Sequence, residues 1–321
     1  MTILAPRPAA PADHDPTAGP RPEPSLAMRT SWWLLTAGAL FFAIVHGLSL
    51  SNAVDQAGIV VMVFAAMAFT AVHGISRYGW RSMLTFFLIA AFWSYLWENL
   101  SIHTGFPFGS YHYDNSWGPK LIDAPYFLAL GYFQLAYLSW NMAHLLLGRY
   151  SNTMRGRWLF VMPTIASLVM VMLDYVFDPY NSTLQGHYVW HHGGAFFGVP
   201  FSNYLGWYLC VWTMYQTFAV FQYFVQRRRP DVDQPAVLFS KAFWLTNIAT
   251  FCAWAVTFIM KGFTVDQYAT VASLDGIVWR QSYLLQTGGL IALTTMGFVA
   301  VLALLKLTVL DEMPSAEATR H

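Results

Sequence analysis

From Ser31 onward the chain repeats one feature that leaves few folds open. Apolar stretches of about 18 residues or more recur, each long enough to cross a hydrocarbon core of roughly 30 Å as a helix. Eight are legible, over residues 32–50, 57–76, 82–101, 124–147, 158–177, 200–225, 241–261 and 283–308. The expected fold class is an all-α polytopic membrane bundle of about eight transmembrane helices. Composition agrees: 56% of the 321 residues are hydrophobic and 10% charged, against about 25% charged in soluble domains. That is more apolar surface than one soluble core of this length hides.

Charge placement tests the count, because Lys and Arg accumulate in cytoplasmic loops. With the N-terminus inside and eight spans, fourteen of the seventeen basic residues fall in the tails and even-numbered loops. Lys120, Lys261 and Arg280 fall outside. Both termini are therefore expected in the cytoplasm of a multi-pass cell-membrane protein. Residues 1–28 hold seven of the sixteen prolines and no apolar core of a signal peptide, so they read as a disordered tail. Residues 29–310 read as the integral-membrane catalytic domain and residues 311–321 as a polar tail. A net charge of +1 gives no reason to expect a nucleic-acid partner. Cys210 and Cys252 lie in apolar runs without metal-ligand or redox spacing.

Ionisable residues at the rim of a bundle are costly to hold there and are functional candidates by default. Two regions joining helices on the same side, residues 97–125 and 173–207, hold most of them. In the first, Glu98 lies near the end of the third span, close in sequence to Trp93, Tyr95 and Trp97. An apolar, aromatic setting disfavours a charged carboxylate and keeps a proton available near neutral pH, as a general acid needs. A Glu in the headgroup layer, or one bonding helix to helix, reads the same way in sequence. Turn residues and aromatics in GFPFGSYHYD suggest a structured loop over a cavity, although an interfacial aromatic belt explains Tyr111, Tyr113 and Trp117 equally well.

In the second region Asp174 and Asp178 stand at i and i+4, on one face of a helix's last turn. Two adjacent carboxylates resist joint ionisation, so one proton is retained where an isolated Asp would have lost it. Pro179 is expected to end that helix. One Asp could instead cap a neighbouring helix or pair with Arg280. Asn203 could hold a water, orient a carboxylate, or bond helix to helix. His187, His191 and His192 form H-x-x-x-H-H, a spacing known from membrane di-iron centres. No second box accompanies it, so no metal site is assigned.

The Glu98 helix end, GFPFGSYHYDNSWGPKL with the following APYF, and the DP, GVP, SN and GW elements of the second region together resemble the membrane carotenoid biosynthesis family of CruF-like end-group hydratases. The resemblance covers roughly residues 80–210 and extends loosely over the other spans. HYVWHH departs from it, since an aromatic segment with fewer histidines is the family pattern. The resemblance implies addition of water across the terminal double bond of an acyclic ψ end group, as in lycopene, γ-carotene or bisanhydrobacterioruberin, with no cofactor. It implies a carotenoid or polyisoprenoid substrate, and membrane lipids as surroundings.

On that reading Asp174 or Asp178 donates the proton, Glu98 orients water or shares the acid role, and Asn203 completes the hydrogen bonds. Trp93, Trp97, Phe106, Phe108, Tyr111, Tyr113, Tyr175 and Trp190 are expected to line the substrate and stabilise a cation, with the site toward the non-cytoplasmic side. Two other readings stand beside it: an iron-dependent membrane hydroxylase or desaturase, and a non-catalytic carotenoid or lipid carrier.

Overall fold

The computed structural model describes residues 23–48, 52–228 and 234–310. The tails expected over residues 1–28 and 311–321 therefore lie largely or wholly outside the described residues. Helix α1 spans Leu26–Leu48, α2 Asn52–Thr104, α3 Leu128–Leu146, α4 Trp158–Asp178, α5 Phe201–Arg228 and α6 Lys241–Thr264. Helices α7 (Gln281–Ala292) and α8 (Phe298–Leu305) run on as one rod through a wide π turn. The result is an all-α bundle with three short antiparallel strand pairs in its loops: β1 (Tyr111–Tyr113) with β4 (Tyr188–Trp190), β2 (Lys120–Leu121) with β3 (Ala124–Pro125), and β5 (Thr270–Ala272) with β6 (Val278–Arg280).

Five helical stretches are long and apolar enough to cross a membrane: Leu26–Leu48, Ala57–Thr104, Trp158–Leu184, Lys241–Thr264 and Gln281–Val309. The second contains two of the expected spans. Instead of a loop at residues 77–81, the helix breaks at Gly79 alone, whose φ of 76° and ψ of 158° are open to a residue without a Cβ. Contacts along α3 show that the chain reverses there. Arg77 and Tyr78 bond to Asn141 and Trp140 near the end of α3, whereas Glu98 bonds to Tyr132 near its start. Helix α3, expected as a span, is buried along almost its entire length.

Small residues let the helices approach closely. Thr36, Ala39, Ala43 and Gly47 form one buried face of α1. There Thr36 meets Thr250 at 3.1 Å and Thr257 donates to the Ala43 carbonyl at 3.3 Å. Polar residues bond inside the bundle too. Arg77, fully buried, donates to Asn152 at 2.7 Å and to Asn141, and lies 3.1 Å from His144 Nε2.

The helix carrying the two aspartates does not stop at Pro179. It continues in a π turn, Pro179–Leu184. A proline lacks the N–H of an i to i−4 bond, and a wider turn placed there absorbs that loss without unwinding the chain.

Candidate active site

Both loop regions converge at one end of the bundle through a two-stranded antiparallel sheet. Strand β1 (Tyr111–Tyr113) pairs with β4 (Tyr188–Trp190), matching Tyr111 to Trp190, His112 to Val189 and Tyr113 to Tyr188. Side chains alternate across a strand, so Tyr111, Tyr113, Tyr188 and Trp190 all face inward and are buried, while His112 faces out. Cross-strand aromatic contacts hold the pair: Tyr111 lies 4.7 Å from Trp190 and Tyr113 lies 5.5 Å from Tyr188, centroid to centroid. The sheet covers a cavity of about 180 Å³.

Two carboxylate clusters face this cavity. Glu98, on the second half of α2, is 4% exposed and accepts three phenolic hydroxyls. Tyr111 and Tyr113 donate to Oε2, the latter at 2.9 Å, and Tyr132 of α3 donates to Oε1 at 2.8 Å. The Tyr132 ring stacks on Trp207 of α5 at 4.9 Å. On the other cluster, Asn203 of α5 donates its amide hydrogens to Asp178 Oδ2 and to Asp174 Oδ2, the second at 3.1 Å. Tyr188 donates to Asp178 Oδ1. Asp178 and Asn203 line the cavity, and Asp174 stands behind them. Asp174 Oδ1 is buried without a hydrogen-bond partner among the described residues. Arg280 lies over the Tyr283 ring, 5.5 Å from its centroid, rather than against either aspartate.

Away from the acids the cavity is mostly apolar, walled by Ile59 and Val63 of α2, Leu128 and Leu135 of α3, and Trp254 and Phe258 of α6, with His46, Gln134, Asn181 and Thr257 as further polar groups in its lining. Such a space can enclose a hydrocarbon end group and set carboxyl groups against it. Burial, reinforced by the nearby carboxylates, pushes the phenols of Tyr111, Tyr113 and Tyr188 well above their ordinary value of 10.0. They stay protonated as donors at any pH at which the protein works.

Of the expected lining residues, Phe108, Tyr111, Tyr113 and Trp190 line the cavity. Trp93, Trp97, Phe106 and Tyr175 do not. Trp93 and Trp97 point at α5, donating to Thr217 at 2.9 Å and Thr213 at 3.0 Å. Phe106 is 57% exposed at the edge of Trp97, and Tyr175 packs on Tyr204 at 4.7 Å on the far side of α4. Tyr132, Tyr188 and Trp207, not singled out in the sequence, are built into the site.

The three histidines of H-x-x-x-H-H lie outside it, whereas His46 of α1 lines the cavity. His191 shares hydrogen bonds with Ser110 at 2.9 Å and His112 at 2.8 Å on the outer face of the sheet. His187, half-buried beside Trp117, is pushed below 6.5 by burial. Among the described residues no group of three His, Cys, Asp or Glu converges as a metal-binding set.

The family model described as "Carotenoid biosynthesis protein" matches residues 57–274, more than half of the chain and both carboxylate clusters of the site. The chain belongs to the carotenoid biosynthesis protein family. With its apolar helices, this member of the family is a membrane protein. A bisanhydrobacterioruberin hydratase of Haloarcula japonica is 32% identical to it over 118 residues. That match covers 36% of this chain and 38% of the relative, so the chain spans well under half of the curated relative it matches. No solved structure matches this family member significantly.

Proposed function

We propose that this carotenoid biosynthesis protein hydrates the terminal carbon–carbon double bond of an acyclic carotenoid end group, giving a tertiary alcohol. The observation that carries the reading is the single apolar cavity lined by both Glu98 and Asp178. The hydratase name of the Haloarcula relative supports it.

A trisubstituted alkene is a weak base, so the first step is proton delivery from a carboxylic acid. Asp178 lines the cavity and shares Asn203 with Asp174. Two carboxyl groups so placed hold one proton between them. Asp178 passes this proton to the secondary alkene carbon, and the positive charge appears on the tertiary carbon. Water attacks that carbon, and its released proton returns to Asp178, so the acid is regenerated and no net proton is consumed. Glu98, an acceptor of three hydroxyls, holds the water and stabilises the cation as a preorganised charge. The rings of Tyr111, Tyr113, Trp190 and Trp207 each add about 0.5–2 kcal/mol of cation stabilisation without trapping it. The cycle uses no cofactor.

Placement in the bilayer follows the same reading. With the two halves of α2 counted separately and α7 and α8 as one rod, eight segments each cross once, with both termini cytoplasmic, as the bias of Arg and Lys toward the even-numbered loops supports. A polyene dissolved among the lipid tails then presents its end group at the non-cytoplasmic interface, where water is at hand. Expression in a host that accumulates lycopene tests the reaction. The predicted result is a polyene heavier by one water; unmodified pigment co-purifying with the protein would instead mark a carrier.

A further inference from the structure

A second cleft, of about 540 Å³, lies beyond β4. Its walls are the π turn at Ser182–Gly186, strand β4, Gly198, and Val271–Leu274 in and after β5 (Thr270–Ala272). Two residues, Tyr188 and Trp190, line both this cleft and the acidic cavity. The two spaces differ in character. The cleft carries Ser182, Thr183, Gln185 and Ser273, and it reaches the surface at Gln185, Gly186 and Leu274, all exposed. The cavity is mostly apolar apart from its acids and their hydrogen-bond partners, its other polar lining groups being His46, Gln134, Asn181 and Thr257.

The shared wall is polar at the points that matter. Tyr188 turns its hydroxyl to Asp178, and the Trp190 indole N–H is buried without a hydrogen-bond partner among the described residues. A buried donor without a partner costs about 1–3 kcal/mol unless something accepts from it, and a passing water supplies an acceptor. A bound polyene plugs the apolar end at Ile59, Val63, Leu128 and Leu135, so the second reactant needs another way in.

We propose that the outer cleft is the water inlet of the site, with Tyr188 and Trp190 as the wall that water crosses to reach Asp178. The inference rests on the hydration reading and assigns separate routes to its two substrates. One water passes inward per turnover, its oxygen bonds to the tertiary carbon, and its proton restores Asp178, so nothing has to leave by the inlet.

The test uses Leu274→Cys, an exposed turn position on the rim of the cleft, labelled with a bulky, water-soluble thiol reagent. Wild-type protein treated in parallel reports any contribution of Cys210 and Cys252. The unlabelled variant is the reference for the labelled one. Labelling should lower turnover about tenfold with bound polyene unchanged, the split that separates a lost reaction step from lost binding. Trp190→Phe, which keeps an aromatic face and removes the N–H, should lower kcat and leave KM for the polyene unaltered. Full turnover in the labelled protein, failure of the new cysteine to react, or loss of polyene in step with turnover would each overturn the inlet. Absence of hydrated product in the wild type removes the reaction itself, a result distinct from these.

Discussion

Tyr132 donates its hydroxyl to Glu98 Oε1 at 2.8 Å, joining α3 to the second half of α2 across 34 residues of sequence. This contact fixes the carboxylate from the helix opposite, while the sheet tyrosines fix it from above. Tyr132→Phe keeps the ring on Trp207 and removes one hydrogen bond to the Glu98 carboxyl group, worth about 0.5–3 kcal/mol. Hydration should slow by about tenfold or more with polyene binding preserved, measured as product formed per bound pigment. An unchanged rate would show that Glu98 takes no part in the reaction.

The acid role predicts a sharper loss. Asp178→Asn preserves size and still accepts from Tyr188, but it has no proton to give. It should abolish hydration, by about a hundredfold or more for a general acid, with the protein still inserted and folded. Asp174→Asn should be intermediate, since it alters the partner of the shared proton rather than the donor itself. Normal turnover in both would refute the assignment.

How much of this was legible in the sequence depends on which signal each residue carried. The apolar helices are legible because hydropathy over about 18 residues leaves little else to build. Sequence predicts a loop of several residues at 77–81 where the structure has a break at Gly79 alone, since one glycine at positive φ leaves no compositional trace. Trp93 and Trp97 were misplaced by nearness in sequence. Adjacent helical positions lie about 100° apart, so Ser94, Glu98 and Ser101 form the buried face while the two tryptophans, at i and i+4, share another that meets Thr213 and Thr217 of α5. Tyr132, Tyr188 and Trp207 looked like ordinary aromatics of apolar segments, and only the helix crossing and the strand pairing bring them to the acids. The aspartate pair was legible because a spacing of four is itself a statement about a helix face.

Close packing over the cavity gives a further test. A Cβ on Gly206 of α5 would lie 2.7 Å from the Phe108 ring and 2.8 Å from the Pro107 carbonyl oxygen, and a backbone atom cannot swing aside as a side chain end does. Gly206→Ala should push the loop holding Phe108 off the helix and cost about 1–3 kcal/mol of stability. Thermal unfolding should show the loss, and hydration should fall with it. A variant as stable and active as wild type would mean the loop is not held against α5 as described.

Stability should also depend on alkaline pH in a defined sense. The buried phenols of Tyr111, Tyr113 and Tyr188 are raised well above 10.0, so the unfolded chain loses these protons first. Their contribution is complete below the unfolded value and is lost as the pH climbs from about 10 toward the folded value. Thermal stability should be insensitive to these groups near neutrality and decline above about pH 10, and Tyr113→Phe should soften that decline. Phenolate absorbance from these tyrosines in the folded protein below pH 10 would contradict their burial as donors.

The origin of the new oxygen decides the central claim most directly. A polyene-producing host expressing this protein is grown in water enriched in heavy oxygen under ordinary dioxygen, and the product is weighed by mass spectrometry. Hydration at the cavity shared by Glu98 and Asp178 predicts a product hydroxyl carrying the heavy isotope at the enrichment of the water. A hydroxyl that takes its oxygen from dioxygen instead would contradict the account.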